Sequence, residues 1–461
     1  MSDGVHRYQR PGEATGITED LADFAVNASL ADIDEGTRSF GVLVLLDAVA
    51  SALAGTHGLE STPIQRMALV LAGSGECTVI GGGDLDPGGA ALVNGYHVTA
   101  VTVCDVHKPL LCHVTPEVVP PALAIAQRER VSGADLLTSI IVGSEVAIRV
   151  GLGLNYEVFR SKGWHSPGVI GPFGGATAVV RLLDGDQAVM RDALGLAGSQ
   201  SSGTFAAWGT PTIKFHQSRG ALSGLMAGLL ANEGFAASPD ILTHPDGGLL
   251  NTHSDGGRPD SVLAGLGDTW EFNQLTLRRW PLASGFQSLV EAMMDVVVSR
   301  DLSPEDIVQV EVKVPPDIYE MYHDFPWETK FQAHLSPRFV AAVIAHDRAS
   351  WLNQFDDERR QDPRINDFAE SRVRIKGDAR IKGEGASVTV TMGDGEAYTS
   401  TCLIPAGDPD KRLTRSELID KFHDARDGIL DDATADNVIE GILNIDSISD
   451  VAPLIAQLGR P

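Results

Sequence analysis

The chain is poor in cysteine, in basic charge and in aromatic residues, and each shortage removes a class of explanation. Four cysteines in 461 residues, Cys77, Cys104, Cys112 and Cys402, are too few and too irregularly placed for a disulfide framework. Lys plus Arg number 36 against 62 Asp plus Glu, a formal net charge of −26. That is the wrong sign for a phosphate backbone and for an anionic membrane surface. No run reads as a membrane span, because the most apolar stretch, 41–54, is interrupted by Asp47 and Ser51. Residues 1–16 are polar, carry Pro11 and three glycines, and lack the apolar centre of a secretory leader. Together these absences predict a soluble, cytoplasmic protein with no nucleic-acid or membrane partner.

What remains is ordinary globular composition, 43% hydrophobic and 21% charged, in a chain long enough for two or three domains. Forty-nine glycines beside 6% aromatics point to close packing of small residues. From residue 18 to about 234 the apolar spacing is helical, with helices expected at 40–54, 120–130, 136–150, 172–183, 187–202 and 219–233. Ser132-Gly-Ala-Asp135 is a capping-box variant ahead of the third of these. After a glycine-rich loop at 243–259 the pattern changes. Val308, Val310, Val312 and Val314 alternate with polar residues up to Pro315-Pro316, as in a half-buried strand. Further strands are expected at 387–392 and 397–403, around a Gly-Asp-Gly turn, and at 372–376, with helices at 283–298 and 337–346. Thr414-Arg-Ser-Glu417 is a capping box that returns the chain to helix. The fold expected is mainly α: a large all-helical domain drawn from both chain ends (1–274 and 406–461) and a smaller α+β lid domain (275–405).

Several short stretches occur in a telling order: Leu46-Asp47-Ala-Val-Ala-Ser-Ala-Leu-Ala-Gly55, Ala91-Leu-Val-Asn94-Gly95, Val119-Pro-Pro-Ala-Leu-Ala124, Gly143-Ser-Glu145-Val-Ala-Ile-Arg149, Trp164-His165-Ser-Pro-Gly168, Ala197-Gly-Ser-Gln200 and Lys214-Phe-His216. In this order the sequence resembles the MmgE/PrpD family, which includes 2-methylcitrate dehydratase, cis-aconitate decarboxylase and iminodisuccinate epimerase. The resemblance implies a helical domain with a smaller lid, a homodimer, and a cofactor-free site between the two units. Its register puts the family's functional histidines on His113 and His165 and its lysine on Lys214. It also implies departures. The family's Asp-x-Asp-Asp-Thr stretch falls on Thr102, Val103, Cys104, Asp105 and Val106; its lid Lys becomes Arg278, followed by Arg279. A following His or Cys becomes Ala283, a further His becomes Gln287, and the tyrosine of decarboxylase-type members falls on Phe339.

Removing a proton beside a carboxylate builds a dianion, so such a site needs a base near neutral pKa and cations that hold the carboxylates. His113 and His165 suit the first role, and Lys214 with Arg278 or Arg279 the second; Lys214 becomes a base instead if burial lowers its pKa. His216 is expected to orient Lys214 or to cap a helix. Asp105 and His107 flank the altered stretch as a relocated acid/base pair or as ordinary helix-face residues. Each histidine also has a plainer reading as a satisfied core residue. Cys104, His107, Cys112 and His113 are soft ligands in a short span, but their spacing matches no zinc pattern, and no metal or cofactor is expected. The glycines at 81–83 and 171–175 lack the flanking features of a phosphate loop. The expected function is a dehydratase-like lyase of a small di- or tricarboxylic acid. An epimerase working through the same intermediate and a non-catalytic carboxylate binder stand as alternatives. Residues 101–220, which hold most of these candidates, carry ten Lys plus Arg against nine Asp plus Glu. The acidity therefore lies elsewhere in the chain and does not oppose an anionic substrate.

Overall fold

A computed structural model describes residues 16–58 and 60–460, so the reading of residues 1–15 as lacking a leader lies outside it. Glu35–Gly55, Pro87–Ala100, Thr115–Glu129, Gly133–Gly153, Ser166–Leu182 and Thr212–Asn232 are the principal helices of a mainly α protein. Their starts follow side-chain chemistry. Asp34 accepts from Thr37 N at 3.0 Å, and Ser132 from Asp135 N at 3.1 Å. Thr414 and Glu417 satisfy each other's backbone in a full capping box. One apolar core takes residues from Leu21 to Leu277 and again from Leu413 to Leu458, joined by Leu352. The return is made by Arg415–Ala425 and Asp432–Leu443, which pack on Glu35–Gly55. A second core is built between Leu282 and Cys402.

Small residues set the helix spacing. A Cβ added at Gly143 would lie 2.7 Å from the Gly174 carbonyl oxygen, and one at Gly174 would lie 2.7 Å from that of Gly143, so these two helices meet backbone to backbone. The same economy makes room for Glu117. Its side chain is fully buried, neither carboxyl oxygen has a hydrogen-bond partner, and a Cβ on Gly171 or Gly220 would overlap the carboxyl group. Burial pushes its pKa well above the carboxylate range, against the pull of the Arg219 guanidinium.

Four helix starts lie five or more residues ahead of expectation, the first at Glu35 in place of residue 40. The helices expected from Pro120, Pro172 and Arg219 begin at Thr115, Ser166 and Thr212, which leaves the prolines inside. An interior proline forfeits a bond to the carbonyl four residues back. For Pro172 that carbonyl is Gly168 O, which accepts instead from Ser202 N at 3.1 Å and Arg219 Nη2 at 2.9 Å. The expectation that no stretch reaches membrane-spanning length also needs correction. Glu35–Gly55 and Gly133–Gly153, 21 residues each, pass that test by length and composition, but their most apolar windows are 78% and 94% buried inside the protein.

The smaller unit carries a four-stranded sheet in the order Val373–Gly377, Ile307–Val314, Ala386–Met392, Ala397–Cys402. The first pair is parallel and the others antiparallel. Gln287–Val297 and Pro337–Asp347 pack against it. Val308 departs from the expected alternation: a register shift between Ile307 and Gln309 turns Ile307 inward and leaves Val308 exposed. Two short ladders interrupt the region expected to be all helical. Cys77–Thr78 pairs with Asp84–Leu85, and Val106–His107 pairs with Leu275–Thr276. The second ladder brings the loop after Pro87–Ala100 against the chain that leads to Arg278.

Candidate active site

That loop, residues 101–114, is held by a buried aspartate. The Asp105 carboxylate accepts from Val114 N at 2.8 Å, from Thr115 N at 3.1 Å and from the Thr115 hydroxyl, closing the start of Thr115–Glu129. The Asp105 carbonyl in turn lies 2.6 Å from His113 Nδ1. A carbonyl only accepts, so the His113 proton sits on Nδ1 and Nε2 keeps its lone pair. Burial, reinforced by the Arg278 charge, pushes this imidazole down to about 3.

His165 stands at the N-cap of Ser166–Leu182, with its Nδ1 3.1 Å from His216 Nδ1. One of the two nitrogens donates and the other accepts, so the pair shares a single proton. Burial, and then the neighbouring His216 and His113, hold His165 well below its usual pKa. Lys214, in the first turn of Thr212–Asn232, donates to the Ala100 carbonyl and lies 4.9 Å from the centre of the Phe331 ring. Burial lowers its ammonium pKa to about 8. Arg278 donates from Nε to Cys104 O at 2.6 Å, from Nη1 to Leu282 O at 3.3 Å and from Nη2 to Cys104 Sγ at 3.3 Å.

The backbone beneath Arg278 is pinned from the far end of the chain. Lys421 Nζ donates to Asp47 Oδ1 at 2.6 Å and to the carbonyls of Val103 and Arg278, each at 2.8 Å. Three acceptors take all three ammonium protons, and both charged side chains are fully buried.

His113, His165, Lys214 and Arg278 line one cavity of about 130 Å³, together with Tyr322, Gln217, Ser284, Thr99 and Thr102. Among the described residues no carboxylate lines it. An outer cavity of about 710 Å³ shares Leu111, Ser284, Met321 and Tyr322 with it as a common wall. At the outer rim Lys108 lies 2.7 Å from Glu384 and 2.6 Å from Asp408, which ties the loop to the sheet unit.

Four other candidates are not on the cavity wall. Arg279 reaches away to Asp424 at 3.7 Å. His107 is spent on the ladder to Leu275; its ring is fully buried without a hydrogen bond, 3.9 Å from Glu271. Asp105 is consumed by the loop it closes, and His216 stands behind His165. Of the departures, Thr102, Val106 and Ala283 do line the cavity. Phe339 does not: it is fully buried against Trp327 and Phe355. Its missing hydroxyl therefore has no bearing on the cavity, whose tyrosine is Tyr322. Gln287 braces the Arg278 segment by accepting from the amides of Arg279 and Trp280, both at 3.1 Å. Cys104 and Cys112 turn to different partners, Arg278 and the His113 carbonyl. Among the described residues no three His, Cys, Asp or Glu side chains converge as a metal site. Sequence reasoning missed Tyr322, Gln217, Phe205, Trp208 and Phe331; the only signal was the aromatic run after Pro315-Pro316.

The chain matches the family model described as MmgE/PrpD N-terminal domain over residues 19–261 and that described as MmgE/PrpD C-terminal domain over residues 280–446. Similar proteins include a cis-aconitate decarboxylase of Aspergillus terreus, 25% identical over 97% of this chain and 96% of that protein. The cis-aconitate decarboxylase of Homo sapiens is 23% identical over 96% of this chain and 95% of its own.

Proposed function

The chain belongs to the MmgE/PrpD family, and from that premise we propose that it is a cofactor-independent lyase of a small di- or tricarboxylic acid that moves a proton at the carbon beside a carboxylate. The observation that carries this reading is a cavity in which, among the described residues, no carboxylate lines the wall and a neutral histidine with a free Nε2 stands beside two cationic side chains. Arg278 and Lys214 receive the substrate carboxylates. Burial is the larger cause of the low His113 pKa and persists, but neutralisation of Arg278 and Lys214 by the bound anion relieves the part their charges add, so the base strengthens somewhat as substrate enters. His113 Nε2 takes the proton, and the electron pair moves onto the carboxylate oxygens held by Arg278. Collapse of that pair expels hydroxide, which leaves as water with a proton from the Lys214 ammonium. An intermediate of the same kind forms when carbon dioxide leaves in place of the proton, the reaction for which the relatives above are named.

A second reading, epimerisation, is favoured by His165, a second imidazole on the same cavity: after taking up a proton from solvent it delivers that proton to the opposite face, while His113 keeps the one it removed. Incubation in deuterated water with a panel of di- and tricarboxylates separates the two. New alkene absorbance supports elimination, and deuterium wash-in without net product supports epimerisation. Binding without exchange, alkene or carbon dioxide release refutes the enzyme reading.

A further inference from the structure

We propose that the acid taken by this cavity is a dicarboxylate bearing an apolar arm, not a tricarboxylate, with the arm passing Tyr322 into the outer cavity. This rests on the reading of the inner cavity as a carboxylate site. A guanidinium has five N–H donors, and three of those on Arg278 are already used, which leaves one on each terminal nitrogen and room for one carboxylate. Lys214 has two protons left beyond the one given to Ala100 and serves a second. Among the described residues a third carboxylate finds no further lysine or arginine on the inner wall. His113 gives its N–H to Asp105 O, His165 shares one proton with His216, and much of the remaining wall is Val106, Phe205, Trp208, Ile213, Phe331 and Leu335. An unpaired carboxylate there meets only the neutral donors of Thr99, Thr102, Gln217, Ser284 and Tyr322, which offset its desolvation in part and supply no countercharge.

The outer cavity shows where an arm goes. Four of the large hydrophobic side chains left exposed on this protein, Leu111, Met321, Leu403 and Ile404, line it. Exposed apolar groups gathered around one hollow are the surface an apolar substituent would cover. The acids on the same hollow, Asp317, Glu384, Asp408 and Asp410, outnumber its cations, Lys108, Arg380 and Lys382, of which Lys108 is paired with Glu384 and Asp408 and Arg380 with Asp378.

The test is calorimetric titration of the full chain with three unreactive probes: succinate, 2-benzylsuccinate and tricarballylate. Benzylsuccinate is expected to bind at least about tenfold tighter than succinate, from burial of its ring, and tricarballylate no tighter than succinate. The doubly substituted Leu403→Ser, Ile404→Ser protein, altered only at exposed positions, should lose most of the benzyl advantage while binding succinate within about twofold of the parent, since only apolar contact area is removed. Tricarballylate binding tighter than benzylsuccinate, or no binding by any probe, overturns the inference. Because no probe reacts, the outcomes separate. The expected order without deuterium exchange on any reactive acid sinks the lyase reading alone, whereas exchange together with a tricarboxylate preference sinks this inference alone.

Discussion

Glu117 is held in a slot that exists because two helices carry glycine there, and Gly171→Ala tests whether that slot is real. The new methyl would overlap the carboxyl group, and retreat is blocked by Gly220 on the other side. Overpacking of this kind costs about 1–3 kcal/mol, and an obstructed carboxyl group belongs at the upper end, less up to about 1 kcal/mol regained from replacing a helical glycine. In a Glu117→Ala background the obstacle is gone, and the same change should be neutral or stabilising by about 0.5–1 kcal/mol. The coupling between the two sites is then about 2–4 kcal/mol, read from urea unfolding of the parent, both single variants and the double. Protonation supplies an independent readout. The folded-state pKa of Glu117 is raised, so this group's contribution to stability is fully present below about 4.5 and is lost as pH rises toward the folded value, by about 1.4 kcal/mol per pH unit. Glu117→Gln removes the titrating group and should flatten that part of the pH profile. A coupling under about 1 kcal/mol, or a Glu117→Gln slope equal to the parent's, refutes the account.

Lys421→Met should destabilise by about 3–5 kcal/mol because it strands the Asp47 carboxylate in the core, and adding Asp47→Leu should restore most of the loss; chemical denaturation measures both, and an additive double variant argues against the pin. If the Lys214 ammonium is the acid, kcat/KM for any turned-over acid falls as pH rises through about 8, and Lys214→Arg carries that limb upward out of range while lowering kcat. His113→Gln should lower solvent-deuterium exchange by about 10²-fold or more, with binding of succinate kept within about threefold; equal exchange rates would remove His113 as the base.

Much of the frame was legible because it rests on local rules. The caps at Ser132 and Thr414 and the alternation ending at Pro315 act within a few residues, and the helices and strands they announce are present. What local rules miss is compensation from elsewhere. Pro172 reads as a helix start until Ser202 and Arg219 are known to satisfy the Gly168 carbonyl. The register shift that exposes Val308 depends on its partner strand. In the site, His113, His165, Lys214 and Arg278 were found through the family's order of segments, and one cavity collects them. Arg279, beside Arg278 in sequence, turns to Asp424 and away from the cavity, so adjacency could not separate them. Tyr322 arrives on a short helix of the smaller unit, and nothing in its own neighbourhood ties it to His113.

The ammonium of Lys421 gives the site an order of assembly. It lies in the last tenth of the chain, yet it fastens the carbonyls of Val103 and Arg278, between which the Arg278 guanidinium is aimed. During synthesis on the ribosome, every side chain on the cavity wall is made well before the residue that fixes their backbone. Catalytic competence would thus arrive at the end of translation and not with the N-terminal helices. A chain cut short before Arg415–Ala425 would hold all of the groups proposed to bind the acid and lack the cation that fastens the carbonyls of Val103 and Arg278.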